Sequence, residues 1–406
     1  MPAKRRFRFL SPPLHTGHRA ALLAVATVIA LAVGAAPSLA NTGSVYWDTN
    51  GNAAAGGTLF NGAFTGVGNV GLGRNVMTFL TSGSDNSAIG SGALDDVSSG
   101  SDNIANGFQA LFGDTIGSSN IASGRFALQS NSSGNDNIAT GTNALHNNTA
   151  SDNIATGTNA LTANTSGTDN VATGTNALKA NTTGGDNIAT GVGALASNSG
   201  GFGNIATGTS ALAASQNTVD DVAVGHDALQ SNTSGNFNQA DGPFSLQNNT
   251  TGSDNLATGT NALLANTTGH DNLAQGFQAL LHSTGSRNIA LGSGAGQNLT
   301  TGSDNIDIAN PGVAGESGTI RIGTAARESA AFLAGVYGKT VGGTTKAVVV
   351  NSAGRLGTAP APAAPALKSQ SKTLGRLRDK VHQQSAELRQ QGAAIQRLRQ
   401  QMQNGG

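Results

Sequence analysis

Apolar residues recur along this chain with two different periods, and each period predicts its own kind of element. The first is 17 residues long and opens on Asn: Asn86, Asn103, Asn120, Asn137, Asn153, Asn170, Asn187, Asn204, Asn238, Asn255, Asn272 and Asn288, with Asp221 in the remaining slot and two spacings of 16. Two places after each stands Ala and four places after stands Gly; seven places after stands Ala except at Ser245, and eight places after stands Leu except at Gly296. Asn137, Ala139, Gly141 and Leu145 form one such set, and Asn153, Ala155, Gly157 and Leu161 the next. The register reaches back in weaker form through Asn69, Gly73 and Met77, and through Asn52, Gly56 and Phe60. Atypical outer copies are expected of capping repeats.

A helix needs apolar positions three and four apart and does not accept Gly, Asn and Thr-Thr-Gly in every repeat. The period is therefore read as a coil of extended chain. At about 3.3 Å per residue, one repeat travels out and back as two short strands joined by two turns, and stacks on the next coil about 4.8 Å away. Within Asn-Ile-Ala-Thr-Gly, alternation sends Ala and Gly to one face and Ile and Thr to the other. The Ala and Gly column permits close backbone approach, Leu fills a recurring apolar slot, Asn forms amide ladders between coils, and Asn-Thr-Thr-Gly supplies a turn. A single coil is too thin to bury its own apolar face, so stacking with lateral association is expected to complete the core.

The second period is seven residues. Leu367, Leu374, Val381, Leu388, Ile395 and Met402 carry it, and the position three later holds Leu377 and Leu398 among Gln370, Gln384 and Gln391. That is the seam of an α-helical coiled coil. The resulting division is a signal segment over 1–40, an N-terminal cap with degenerate repeats over 41–85, solenoid repeats over 86–305, a β-rich neck over 306–358, a Pro/Ala linker over 359–366 and the coiled coil over 367–403.

Composition sharpens this reading. The chain has 58 Gly among 406 residues, 11% charged residues, 4% aromatic residues and no Cys. A globular domain carries about 25% charged residues and about 7% Gly, so this surface and core are built from an unusual set of groups. Lys and Arg number 22 and Asp and Glu number 22, and no basic run is interleaved with aromatics, which argues against a nucleic-acid partner. The absence of Cys removes disulfides, thiolate nucleophiles and thiolate metal sites together. At the N-terminus, Lys4-Arg5-Arg6-Phe7-Arg8, an uncharged stretch from Ala20 to Ala36, and Pro37-Ser38-Leu39-Ala40 follow the order of a secretory signal. Cleavage after Ala40 would leave no transmembrane segment, and the mature chain is expected to be extracellular, at the cell surface or in the periplasm.

The phrase Gly-Ser-Asp-Asn-Ile-Ala-Thr-Gly-Thr-Asn-Ala-Leu with Asn-Thr-Thr-Gly resembles the head repeats of trimeric autotransporter adhesins. It is closer still to the repeats that precede endosialidase-type intramolecular chaperone domains in phage tail fibres and bacterial surface proteins. The likeness continues through Asn310-Pro311-Gly312-Val313-Ala314-Gly315-Glu316-Ser317 and Thr319-Ile320-Arg321-Ile322-Gly323-Thr324 to Leu356-Gly357-Thr358. The resemblance implies a homotrimeric, left-handed β-roll or β-helical fibre used for attachment. It departs after Thr358, where self-cleaving chaperones carry a Ser and a Lys and this chain continues into Ala359-Pro360-Ala361-Pro362, so autoproteolysis is not expected.

Candidate chemistry is sparse. Asp85, Asp102, Asp136, Asp152, Asp169, Asp186, Asp254, Asp271 and Asp304 precede the Asn column and suggest Ca²⁺, but Ser119, Gly203, Phe237 and Arg287 interrupt them, which favours turn carboxylates. Thr-Gly-Thr pairs such as Thr140/Thr142 and Thr156/Thr158 are similar to ice-binding arrays but occur in only some coils. Asn147, Asn164 and Asn181 lie in glycosylation sequons that the turn itself explains. His146, His226, His270 and His282 lack metal-ligand spacing, and no nucleophile with a base or paired carboxylates stands out. Phe108, Phe126, Phe202, Phe237, Phe244 and Phe277 occupy variable slots, either as packing between subunits or as contacts for a receptor or glycan. The expectation is an all-β repeat solenoid of stacked β-roll or β-helix coils, homotrimeric through a C-terminal coiled coil, without enzymatic activity, cofactor or metal. It attaches to a host matrix or glycan by multivalent contacts; the alternatives are a non-adhesive structural spacer and, more remotely, an ice- or Ca-binding solenoid.

Overall fold

A computed structural model describes residues 44–56, 64–324, 327–332, 347–352, 354–358 and 364–403. The expected signal segment, Phe60, residues 333–346 of the expected neck and residues 359–363 of the expected linker lie outside the described residues. The chain divides into two units, Met1–Gly323 and Thr324–Gly406.

In the first unit, fifteen three-residue strands from Val70–Leu72 to Ile306–Ile308 each supply one rung of a parallel sheet. The pairing keeps the phase of the sequence repeat, so that Ile188 faces Ile205, Ala189 faces Ala206 and Thr190 faces Thr207. This is a β-solenoid with a period of about 17 residues. At its start Ser44–Trp47 pairs antiparallel with Ala53–Gly56, which in turn begins the parallel stack. At its end Ile320–Ile322 adds a last rung. The sheet therefore passes residue 305, the expected end of the repeats, and Asn305 continues the buried Asn column.

Each coil carries one strand rather than the expected two. The reason lies six and eight places after the Asn, where Asn143 and Leu145 have φ of 56° and 51° and the corresponding residues of other coils do the same. Left-handed backbone at alternate residues is incompatible with an extended strand. That segment is still laddered, since Leu145 N–H donates to the Ala160 carbonyl at 3.0 Å and Asn143 N–H to the Arg125 carbonyl at 3.0 Å. A left-handed Leu costs about 1–2 kcal/mol, and full burial of its side chain contributes about 1.5–3 kcal/mol. Every Leu of the column from Leu94 to Leu280 is fully buried.

Inside the coil, Ala139, Ala155 and their equivalents point inward from the strand, and Ile and Thr point out. Four places after the Asn, Gly157 sits at φ 133°, and a Cβ there would lie 2.6 Å from the Gly174 carbonyl oxygen. Coils touch through bare backbone at this corner, which no other residue permits. The Asn column forms the anticipated ladder: Asn187 N–H and Nδ2 donate to Asn170 Oδ1 at 3.2 and 3.1 Å, and Asn187 Nδ2 also donates to the Gly201 carbonyl at 2.8 Å.

A second buried amide column runs eleven places after the first and was not anticipated. Asn164 Nδ2 donates to Asn148 Oδ1 at 2.6 Å, Asn181 to Asn164 at 2.8 Å and Asn198 to Asn181 at 3.0 Å. Towards the ends of the unit the same slot turns apolar, with Leu80 and Val97 at one end and Leu299 at the other, all fully buried. Between the two amide columns the Ala and Leu side chains close a continuous core within a single chain. The expectation that lateral association is needed to complete the core is thus incorrect, because one chain already folds both sides of each coil around it.

The two coils of 16 residues lose their residue in the turn between the amide columns. Asn137 Nδ2 there reaches the Ala150 carbonyl at 2.8 Å, while the strand pairing Ile138 with Ile154 stays in phase. The ladder thus tolerates a change of turn length.

In the second unit, Val348–Val350 and Leu356–Thr358 form an antiparallel hairpin. Asn351 closes its turn, accepting from the Arg355 N–H on its side chain at 2.9 Å. A 40-residue helix follows, Ala364–Gln403. It begins within the stretch expected as linker, with Pro365 in its first turn, where a missing N–H costs nothing. Among the described residues, no helix is long and apolar enough to cross a membrane.

Candidate functional site

Whatever this protein contacts must be met by the outward positions of the coil, since the inward ones are sealed. The predicted repeat residues are inward or at the bare corner: Asn137, Ala139, Leu145, Asn153, Ala155 and Leu161 are fully buried, and Gly141 and Gly157 form coil-to-coil contacts. They are the frame, not a binding surface. Of the helix seam, Leu374, Leu377, Val381, Leu388, Ile395 and Leu398 are all more than half exposed. Leu367 and Met402 lie in the helix but outside the residues whose side chains are described.

Two outward surfaces follow from the coil geometry. One is the outer face of the sheet, where Ile, Val or Leu alternates with Thr in six strands, such as Ile138 with Thr140, with other pairs in the rest, which include Asn106, Ser123 and Gln275. Among the described residues, Asp241 is the one charged side chain that the strands from Val70 to Ile308 turn outward. The other is the ribbon formed five and six places after each Asn, just past the Gly corner. Its backbone is fixed by coil-to-coil hydrogen bonds, as between Phe126 N–H and the Phe108 carbonyl at 3.0 Å and between Phe244 N–H and the His226 carbonyl at 2.9 Å.

The predicted Phe residues separate on this map. Phe108 and Phe126 meet edge to face with centroids 5.4 Å apart, Arg125 lies 4.3 Å over the Phe126 ring, and His146 closes the group 6.2 Å from it. Phe244 meets His226 at 5.2 Å further along the same ribbon. Phe277 is also on it, whereas Phe202 and Phe237 sit in the opposite turn. The sequence marked these rings singly; their gathering depends on coil phase, which brings residues 17 or 18 apart side by side.

The Asp column has a backbone explanation. Asp85, Asp102, Asp136 and the others of that column have φ between 57° and 63°, and Ser119, Phe237 and Arg287 share this conformation. Asp is enriched at such positions because its short polar side chain tolerates them. Arg287 pairs with Asp304 of the next coil at 2.6 Å, and this hydrogen bond holds the Asp304 carboxyl below its ordinary range. No three His, Asp or Glu side chains converge on a metal-sized site among the described residues. Of the sequon residues Asn147, Asn164 and Asn181, the latter two are fully buried and Asn147 is exposed.

Three acids lie in the interior. Burial pushes the Asp221 carboxyl up to about 7, against hydrogen bonds from Asn238, Thr218 and Asn232 that favour its charged form. Burial likewise raises Asp114, in the second amide column, to about 7. Asp307 occupies an Ala slot near the end of the solenoid, and burial followed by the nearby Glu316 raises it to about 6 while Arg321 opposes the shift. Glu316 and Arg321 are themselves paired at 2.7 Å. None of the three acids opens on a cleft, so they bear on stability rather than on substrate chemistry.

No family model, curated protein or solved structure matches the chain. The likeness to adhesin heads and tail-fibre repeats therefore rests on the residues quoted for it alone.

Proposed function

We propose that this protein is an exported, non-enzymatic fibre of adhesin type, in which a rigid solenoid is displayed on a homotrimeric C-terminal coiled coil. The observation that carries the reading is the helix Ala364–Gln403. Leu374, Leu377, Val381, Leu388, Ile395 and Leu398 recur along it in heptad phase and are all more than half exposed. A helix with an uncovered heptad seam is stabilised by copies of itself. Three copies rather than two is the count implied by the resemblance to trimeric fibres. Export is read from the basic, apolar and small-residue order of residues 4–40. The solenoid supports display because its core is complete in one chain, which leaves its outer surface free for repeated weak contacts whose avidity multiplies in a trimer.

The test is the solution mass, by light scattering, of residues 41–406 and of the same chain ending at Thr358. The expected result is three chain masses for the first and one for the second. One chain mass for both overturns the trimer. Retention of purified trimer on matrix-coated surfaces separates an adhesin from a spacer, which would show none.

A further inference from the structure

The ribbon past the Gly corner carries a strained feature that the solenoid does not need. Six places after the Asn, the backbone is left-handed in every complete coil, and Asn143, Asn159, Asn176 and Asn261 fill it at φ of 56° to 60°. Asn adopts this conformation at little cost. In two coils the residue is instead Phe: Phe126 at φ 61° and Phe244 at φ 60°. A bulky aromatic there is an outlier, held in place by the coil-to-coil hydrogen bond of its own N–H, as Phe237 is in the opposite turn at φ 58°. The core does not hold it, because Leu128 and Leu246 fill the apolar slots of those coils. Each ring is instead half-buried beside a second ring or a cation, Phe126 with the exposed Phe108, Arg125 and His146, and Phe244 with His226.

Between the two aromatic groups the ribbon carries Thr142/Asn143, Thr158/Asn159 and Thr175/Asn176, then Val192/Gly193 and Thr209/Ser210, before His226/Asp227, whose ring and carboxylate pair at 3.1 Å. Asn143 Nδ2 donates to Asn159 Oδ1 at 3.1 Å, and Asn159 Nδ2 to Asn176 Oδ1 at 3.3 Å. Phe126 and Phe244 belong to coils opened by Asn120 and Asn238, seven steps apart, or about 34 Å at the spacing of paired strands. A protein partner wants a contiguous apolar centre, and a nucleic acid wants a row of cations. This ribbon offers neither. Ring faces set apart along a line of amide groups suit a pyranose chain, which presents apolar C–H faces and a rim of hydroxyls.

We propose that this ribbon binds a neutral polysaccharide laid along the solenoid axis, stacked on the Phe108/Phe126 and Phe244 groups and hydrogen-bonded by the Asn143, Asn159 and Asn176 amides between them. The proposal names the ligand class of the adhesin-type reading and rests on that reading.

The test uses the full chain and a panel of neutral β-linked glucan, chitin and galactan oligosaccharides of increasing length, with binding measured by calorimetry. The partner variant is the double substitution Phe126→Asn and Phe244→Asn, which restores the usual residue of the column and leaves the core untouched. The expected result is binding by at least one glycan, tightening with length, and a loss of tenfold or more in the variant, whose melting temperature and solution mass stay at or above those of the parent. Absence of binding by every glycan, or equal binding by the variant, overturns the proposal. A fall in mass on substitution also overturns it, because the rings would then pack between copies. Retention on a matrix-coated surface is measured in parallel: retention that survives the double substitution leaves the adhesin reading standing and sinks the ribbon, whereas loss of all retention by the parent sinks the adhesin reading itself.

Discussion

The solenoid and the C-terminal helix are equally periodic in sequence, yet they dispose of their apolar residues in opposite ways. Leu178, like every Leu of its column, is sealed by its own chain, while Leu388 and its heptad neighbours stay more than half exposed. A solenoid coil has an inside because the chain turns back on itself within one repeat. A single helix has only a stripe. Periodicity alone therefore says that a face exists, and the geometry of the repeat decides whether one chain can cover it.

Ending the chain at Thr358 should break this contrast most visibly: solution mass falls to one chain and the helical far-UV signal disappears, while the melting midpoint of the solenoid stays unchanged. Next comes Gly157→Val, which places a branched side chain at φ 133° against the Gly174 carbonyl. Its expected cost exceeds about 4 kcal/mol, read by denaturant unfolding, with the oligomer mass preserved in folded material. Leu178→Ala should cost about 2–5 kcal/mol at every protein concentration. Leu388→Ala should instead shift a melting midpoint that depends on concentration, as association predicts; a concentration-independent shift would count against the seam.

A smaller effect separates the two regions by pH. Asp221 has a folded-state carboxyl raised to about 7, above its unfolded value near 3.9. Its neutral form is favoured by folding, so the associated stability is fully present below about pH 4 and is lost as pH rises through about 7. Asp221→Asn restores the amide that the other coils carry in this column. It should leave stability unchanged near pH 4 and raise it at pH 8, by no more than about 4 kcal/mol. Equal effects at both pH values would exclude a buried titrating carboxyl. Least of all, Arg287→Ala removes an exposed pair and should leave the midpoint unchanged at any salt concentration.

The inward columns were legible because Asn, Ala, Gly and Leu each answer to a single backbone or packing need repeated in every coil. The second strand was wrongly expected because nothing in a sequence announces a left-handed Leu: Leu145 takes φ 51° under the pull of burial, against its own preference. The second amide column hid for a different reason. Asn164 and Asn181 open Asn-Thr-Ser and Asn-Thr-Thr phrases that read as ordinary turns, and Asp114, Ser215 and Ser283 break the column where an eye scans for identity. The aromatic ribbon was half legible, since single Phe residues stood out but the phase that joins Phe108 to Phe126 is a property of stacked coils.

The register that pairs Ile188 with Ile205 and Asn187 with Asn170 is the same at nearly every step. Duplicating or excising one whole repeat would leave each donor facing an equivalent acceptor and each Leu another Leu. Such a chain is editable in length without redesign. Its reach can drift between lineages in increments of about 4.8 Å, while the antiparallel pair at the start of the stack, Ser44–Trp47 with Ala53–Gly56, and the final rung Ile320–Ile322 are carried along unchanged.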